Sequence, residues 1–248
     1  MSVPLGMVEF VGLPGAGKTT VAHLLVEALK EKGINAELVV ASELVRQSAI
    51  YEKRTAVYGI RARLRSIARN PWIALFLYGY TLSLGTSTMR ALRGVHQHLD
   101  RWEAVQKLTE GCSAEVLVFD ELLLHAFFSL GVGENFLKRS GMIKALLRKA
   151  YKRQEWIFIH MNTPLDTCVR RAQSRSDGNS RFDVRAPLEM FEKMRVSATS
   201  YSNLIQILEE NQMNVFRVSE IKDPRIVAKE ARKAVIRHFA PDVAPLCD

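Results

Sequence analysis

The chain has 248 residues, 48% hydrophobic and 25% charged, a balance that supports one large folded core and excludes a disordered or collagen-like chain. Its formal charge of +9 favours anionic partners, but holding any polyanionic small molecule also takes cations. Charge alone therefore does not call for nucleic acid, and no aromatic-studded basic motif of the RNA-reading type is present.

Three cysteines, Cys112, Cys168 and Cys247, have neither paired nor metal-like spacing, which fits a reducing cytoplasm. Met1 to Gly6 has no basic region followed by an apolar stretch, so no signal peptide is expected. The longest apolar stretch, Trp72 to Leu84, is interrupted by Gly79, Tyr80, Thr81 and Ser83. It is too short and polar for a membrane span and reads as a buried helix.

Met7 to Val11 reads as a short buried strand. Gly12 to Thr19 then satisfies G-x-x-x-x-G-K-[ST] at every fixed position, and Thr20 to Leu29 carries apolar residues at helical spacing. Strand, glycine loop and helix are the context in which this motif cradles phosphate. Gly12, Gly15 and Gly17 let the backbone turn and aim N–H groups at an anion, with Leu13, Pro14 and Ala16 between them. The helix opening at about Gly17 adds the positive end of its dipole. Lys18 can reach β- and γ-phosphates, and the Thr19 hydroxyl can ligate Mg²⁺. A glycine turn before an ordinary helix is the plain alternative, and the complete motif argues against it. Gly12 to Thr20 are the expected nucleotide contacts. At this point the chain resembles the P-loop nucleoside triphosphatases, which implies binding of a nucleoside triphosphate.

Lys32-Gly33 marks the end of the first helix, and Ala36 to Ala41 reads as a second strand, forming a βαβ unit if parallel to the first. Ligands of such sheets gather at the strands' carboxyl ends, where Ser42 and Glu43 lie. Glu43 either faces the acceptor of a phosphoryl group or starts a helix capped by Ser42. Arg46 to Arg69 is helical and basic, with Arg54, Arg61, Arg63, Arg65 and Arg69 mostly solvated and one or two available to an anionic substrate. Asn70-Pro71 breaks the pattern, and Trp72 to Arg93 and His96 to Glu110 read as two further helices. The span of about 44–111 is thus a helical subregion over the active-site mouth. In kinases of small molecules such an insertion carries acceptor specificity.

Glu115 to Phe119 is a third strand, followed at once by Asp120-Glu121 in the form of a Walker B element. Asp120 is expected to hold Mg²⁺. Glu121 either orients a nucleophile or acts as general base, or only caps the next helix. His125 reads as a helix residue. Gly131 and Gly133 mark a loop before a basic helix, Glu134 to Tyr151. Trp156 to His160 is a fourth strand, and Asn162-Thr163-Pro164 turns into a helix from about Leu165 to Ser174. Arg170, Arg171, Arg175, Arg181 and Arg185 crowd the following glycine-containing segment, with Arg171 and Arg175 on one helix face. This segment, about 170–186, reads as a mobile lid that neutralises charge on the transferred phosphoryl group, or else as an exposed loop. Pro187 to Glu210 is a long helix, Asn214 to Val218 a fifth strand, and Ser219 to Asp223 a loop into a last helix ending near His238. The tail Ala240 to Asp248 reads as loosely held. No repeat or linker divides the chain, so one domain over 1–248 is expected.

Five strands, each followed by helices, with the phosphate loop after the first, resemble the nucleoside and nucleotide kinase branch of the P-loop fold, the thymidylate kinase-like group. Phe158 to Arg171 is similar to the run into the lid of thymidylate and deoxynucleoside kinases. Two positions depart from that pattern. Glu121 stands where those families commonly place Arg, and Leu44 follows Glu43 where they often place Pro.

The resemblance implies an α/β fold with a five-stranded parallel sheet, helices on both faces and a helical insertion between strands two and three. It implies a cytoplasmic ATP-dependent phosphotransferase using Mg²⁺ (held by Thr19 and Asp120) and acting on a nucleoside, nucleotide or other hydroxylated metabolite. Lys18, Glu43, Asp120, Glu121, Arg171 and Arg175 are its candidate catalytic residues. Arg171 also contacts the nucleotide, and the Ser219–Asp223 loop borders the adenine, beside the first strand. A homodimer is compatible with this picture. Two other functions stay open: an ATPase that drives a partner, favoured by Asp120-Glu121, and a nucleic-acid end kinase, favoured by the basic helices from Arg46 to Arg93.

Overall fold

Five short apolar runs pair into one all-parallel sheet. The computed structural model describes residues 6–40, 43, 67–83, 89–125, 140–151, 155–174, 187–219 and 223–239. The strands are β1 (Gly6–Val11), β2 (Ala36–Val39), β3 (Val116–Phe119), β4 (Trp156–Asn162) and β5 (Asn214–Ser219). Their order is β2-β3-β1-β4-β5. Central β1 is buried at every position and pairs on both sides, Val8 lying opposite Val118 and Ile157. Continuous apolar runs such as Val-Leu-Val-Phe in β3 are what a sheet covered on both faces demands.

The helices are α1 (Lys18–Lys30), α2 (Pro71–Ser83), α3 (Met89–Gly111), α4 (Ser140–Ala150), α5 (Leu165–Gln173), α6 (Pro187–Glu210) and α7 (Pro224–Phe239). Alternation along β4 shows the two covered faces. Trp156 and Phe158 pack on Tyr151 just after α4, with ring centroids 4.7 and 5.1 Å apart, whereas Ile157 lines a hollow shared with Ala234 of α7. α1 packs against α7. This is the five-stranded parallel α/β arrangement expected above, with helices on both faces and the helical insertion between β2 and β3.

Several boundaries differ from expectation. β5 pairs with β4 at the edge of the sheet and does not lie beside β1. The reason is visible in composition. β4 is buried from Trp156 to Met161, as an interior strand must be, whereas β5 exposes Asn214 and Arg217. The residues from Met89 to Arg93 belong to α3 and not to the preceding helix. α2 buries Ile73, Leu77 and Tyr80 but exposes Trp72, Leu75 and Leu82, so it is covered on one face only. Among the described residues no helix is long and apolar enough to cross a membrane.

Because all five strands run parallel, their carboxyl ends share one edge. That edge carries the loop after β1, Asp120 and Glu121 after β3, Thr163 after β4, and the end of β5.

Candidate active site

The loop after β1 is held in one shape by its own backbone and by the segment after β4. Gly15 has φ +82°, and a Cβ there would lie 2.4 Å from the Cys168 carbonyl oxygen of α5, so no other residue fits. Ala16 N–H donates to the Leu13 carbonyl at 3.1 Å, and the Thr163 hydroxyl donates to the Ala16 carbonyl at 3.1 Å. Gly17, at φ +90°, is the N-cap of α1 and supplies no side-chain cap. The first N–H groups of α1 therefore open toward the loop without a capping side chain, which is how a helix N-terminus receives an anion.

Lys18 is 6% exposed. Its ammonium donates to the carbonyls of Gly12 at 2.9 Å and Leu13 at 3.0 Å, and pairs with Glu121 Oε1 at 3.0 Å. Burial pushes the Glu121 carboxyl up, but the opposing charges of His125, Lys18 and Arg101 outweigh it and hold the group down at about 2. A carboxylate held that low is a firm counter-ion and a weak proton acceptor while Lys18 stays beside it.

Thr19 Oγ1 donates to Asp120 Oδ2 at 2.8 Å. The two side chains expected to hold Mg²⁺ are thus neighbours, although 101 positions apart in the chain. One hydroxyl and one carboxylate, both hard oxygen donors beside a phosphate loop, fit an ion that completes its shell with water and substrate phosphate. Among the described residues no cluster of three or more His, Cys, Asp or Glu could hold a metal by itself.

Arg171, in the last turn of α5, reaches the loop from the other side. Its Nη1 lies 3.6 Å from where a Cβ on Gly17 would stand. Arg170 donates to Thr167 Oγ1 at 3.5 Å on its own helix. Glu43 is exposed just beyond β2, with its N–H on the Val40 carbonyl at 3.0 Å. β3 separates its strand from β1, and the structure does not join it to the loop by any hydrogen bond or ion pair among the described residues. Arg175, Arg181 and Arg185 of the expected lid lie outside the described residues. So do Ser42, Arg54, Arg61, Arg63, Arg65, the glycines 131 and 133, residues 220–222 and the tail 240–248.

Sequence reading missed Glu9. It lies inside β1, 1% exposed. Its Oε1 accepts the N–H groups of Leu122 at 3.2 Å and Leu124 at 3.1 Å, and its Oε2 accepts the Tyr151 hydroxyl at 2.8 Å. The backbone immediately after Asp120-Glu121 is thereby pinned to the central strand. One signal was available: an acid inside the apolar run Met-Val-Glu-Phe-Val must be satisfied from elsewhere in the fold.

Burial raises Glu9 from 4.5 to about 8, against the three hydrogen bonds and with some help from Glu121. The native state keeps the Glu9 proton across a range in which the unfolded chain has lost it. Glu9 therefore makes stability fall as pH rises from about 4.5 to about 8. Glu9→Gln keeps the size and the acceptor oxygen but cannot ionise. It should match the wild type near pH 5 and be the more stable protein near pH 9, as read by urea unfolding. Identical pH slopes in the two proteins would contradict this role.

No family model matches the chain, and no curated protein matches it. Similar solved structures exist at low identity. A deoxyadenosine kinase from M. mycoides with bound dCTP is 13% identical over 91% of this chain and 97% of that one, with a TM-score of 0.47. The same enzyme with bound dATP is 14% identical over 91% and 97%, at 0.45. A shikimate kinase from Acinetobacter baumannii in complex with shikimate is 17% identical over 96% of both chains, at 0.48. Strand order and loop geometry carry the assignment of the fold.

Proposed function

We propose that the protein is an ATP-dependent phosphotransferase acting on a small hydroxylated acceptor, with the residues from Gly12 to Thr20 holding the triphosphate. The observation that carries this reading is the Thr19–Asp120 hydrogen bond of 2.8 Å beside the uncapped N-terminus of α1. It joins an anion site to a paired hydroxyl and carboxylate, the arrangement phosphoryl transfer needs.

The β- and γ-phosphates take the loop N–H groups, and the Lys18 ammonium leaves Glu121 for phosphate oxygens. Thr19 and Asp120 would hold Mg²⁺, which would supply neutralising charge at the γ-phosphoryl group. Loss of Lys18 removes one of the cations that hold Glu121 down, so its carboxylate becomes a better proton acceptor as substrate arrives. An acceptor hydroxyl, oriented by Glu121, attacks the γ-phosphorus. The bond to the β-bridging oxygen breaks, ADP leaves, and Glu121 or solvent takes the hydroxyl proton. Glu43 is kept as a candidate acceptor contact, and 44–111 as the subregion that would cover the acceptor. The Ser219–Asp223 loop, at the carboxyl end of β5, is placed near the adenine. The whole chain 1–248 would act as one domain, with 170–186 as its lid.

Arg171 over Gly17 fits closure of that lid on the triphosphate, with Arg175 joining it. Arg171→Ala should lower kcat by ~10² while raising the KM for ATP far less, because the contact tightens in the transition state. Lysine should restore only part, for want of the planar fork. Unaltered kcat would reduce Arg171 to surface charge.

A hydrolytic ATPase is favoured by one observation, the Glu121 carboxylate within the same cluster, where it can orient water. Incubation with γ-labelled ATP, Mg²⁺ and a cell metabolite pool separates the readings. Label in one small product supports the kinase. Label only in free phosphate supports the ATPase, and label at oligonucleotide ends supports a nucleic-acid end kinase.

A further inference from the structure

The two oxygens of the Glu121 carboxylate are held by different cationic side chains. Lys18 Nζ stands 3.0 Å from Oε1, and His125 Nδ1 stands 3.6 Å from Oε2. His125 reads in the sequence as an ordinary helix residue, yet the structure brings its ring to Glu121, four positions earlier. The backbone between the two is fixed. Glu9, buried inside β1, accepts the N–H of Leu122, which follows Glu121, at 3.2 Å, and that of Leu124, which precedes His125, at 3.1 Å. The Tyr151 hydroxyl donates to the other oxygen of Glu9 at 2.8 Å, and its ring packs edge-on against Trp156 and Phe158 of β4. Both members of the pair are largely enclosed, His125 being 19% and Glu121 27% exposed. A pair on an anchored turn, mostly out of water, keeps an orientation that an exposed pair loses to side-chain freedom and screening.

We propose that His125 is the positioning residue of Glu121: it keeps Oε2 in place so that Oε1, once Lys18 has moved to the triphosphate, faces the acceptor hydroxyl. The proposal rests on the kinase reading above, in which Lys18 gives up its contact with Oε1 when nucleotide arrives. Without a second tether the carboxylate would then swing freely, because its terminal torsion is broad. The imidazole supplies that tether from the opposite oxygen. Its charged form, and its neutral form with the proton on Nδ1, both present an N–H to Oε2. At 3.6 Å the contact is an ion pair longer than a hydrogen bond, and it tightens as Lys18 withdraws from the other oxygen. Of the other nearby charges, Asp120 accepts the Thr19 hydroxyl at 2.8 Å, and Arg101 of α3 adds a positive field that favours the carboxylate. The His125 ring neither gives nor takes a proton in the step.

Two variants separate this role from simple packing. His125→Asn keeps an N–H close to the place of Nδ1 and loses most of the ring. His125→Phe keeps the ring volume and loses every N–H. The full chain is incubated with γ-labelled ATP, Mg²⁺ and a fixed cell metabolite pool, and label in the small product is followed. The Asn variant should keep at least about a third of wild-type turnover, whereas the Phe variant should fall about thirtyfold, with the KM for ATP changed less than about twofold in both. In a Glu121→Gln background the Phe change should cost less than about twofold more, because the carboxylate it orients is gone. A Phe variant at least as active as the Asn variant overturns the proposal and leaves His125 as packing. So does a loss that a raised KM for ATP accounts for, or a penalty that stays undiminished in the Glu121→Gln background. Label released only as free phosphate overturns the kinase reading instead, and the order of the two variants, read on that phosphate, still decides whether His125 orients Glu121.

Discussion

Lys18→Ala should leave a folded protein whose turnover falls by at least ~10². Among the described residues the ammonium is the one buried cation bonded directly to the loop, at 2.9 and 3.0 Å from the Gly12 and Leu13 carbonyls. Arg171 stands over Gly17 at the rim. Removing Lys18 also takes from Glu121 the cation 3.0 Å away, so the carboxyl should drift up from about 2. The fold should survive, because the glycine turns, the Thr163–Ala16 bond and the packing of α1 do not depend on the ammonium. The structural loss is two hydrogen bonds to loop carbonyls, at roughly 1 kcal/mol each. Far-UV circular dichroism and steady-state turnover report the two halves of this result. More than about a tenth of wild-type turnover would exclude a phosphate-binding role for the loop.

Asp120→Asn should separate metal from nucleotide. The carboxylate is 6% exposed and accepts the Thr19 hydroxyl at 2.8 Å. An amide oxygen can accept the same bond, so the local structure should hold. The charge that attracts a divalent ion is gone. The Mg²⁺ concentration needed for half-maximal turnover should rise by ~10², while binding of metal-free nucleotide changes by less than about twofold. An unchanged magnesium titration would leave Asp120 as a strand-end residue with a hydrogen bond.

The loop was legible in the sequence because its chemistry is local. Gly15 and Gly17 occupy positive φ, and the strand before and helix after them follow from short-range patterning. The helix from Pro187 to Glu210 is found at its expected ends, with proline at its first position. What could not be read depends on contacts between distant residues. Glu9 acquires meaning only from Leu122, 113 positions later, and from Tyr151. The edge position of β5 left a trace in composition, the exposed Asn214 and Arg217, but its pairing with β4 depends on residues far away in the chain. Glu121 was visible as an acid after a strand, but that Lys18 is its counter-ion required both strands in place.

A structure of the full chain with Mg²⁺ and a non-hydrolysable ATP analogue tests the central claim most directly. The triphosphate is expected along the residues from Gly12 to Thr20, with the Lys18 ammonium moved from Glu121 to phosphate oxygens. The ion should lie between Thr19 and Asp120, and the base near the end of β5. A nucleotide bound elsewhere, with Lys18 still paired to Glu121, would contradict it.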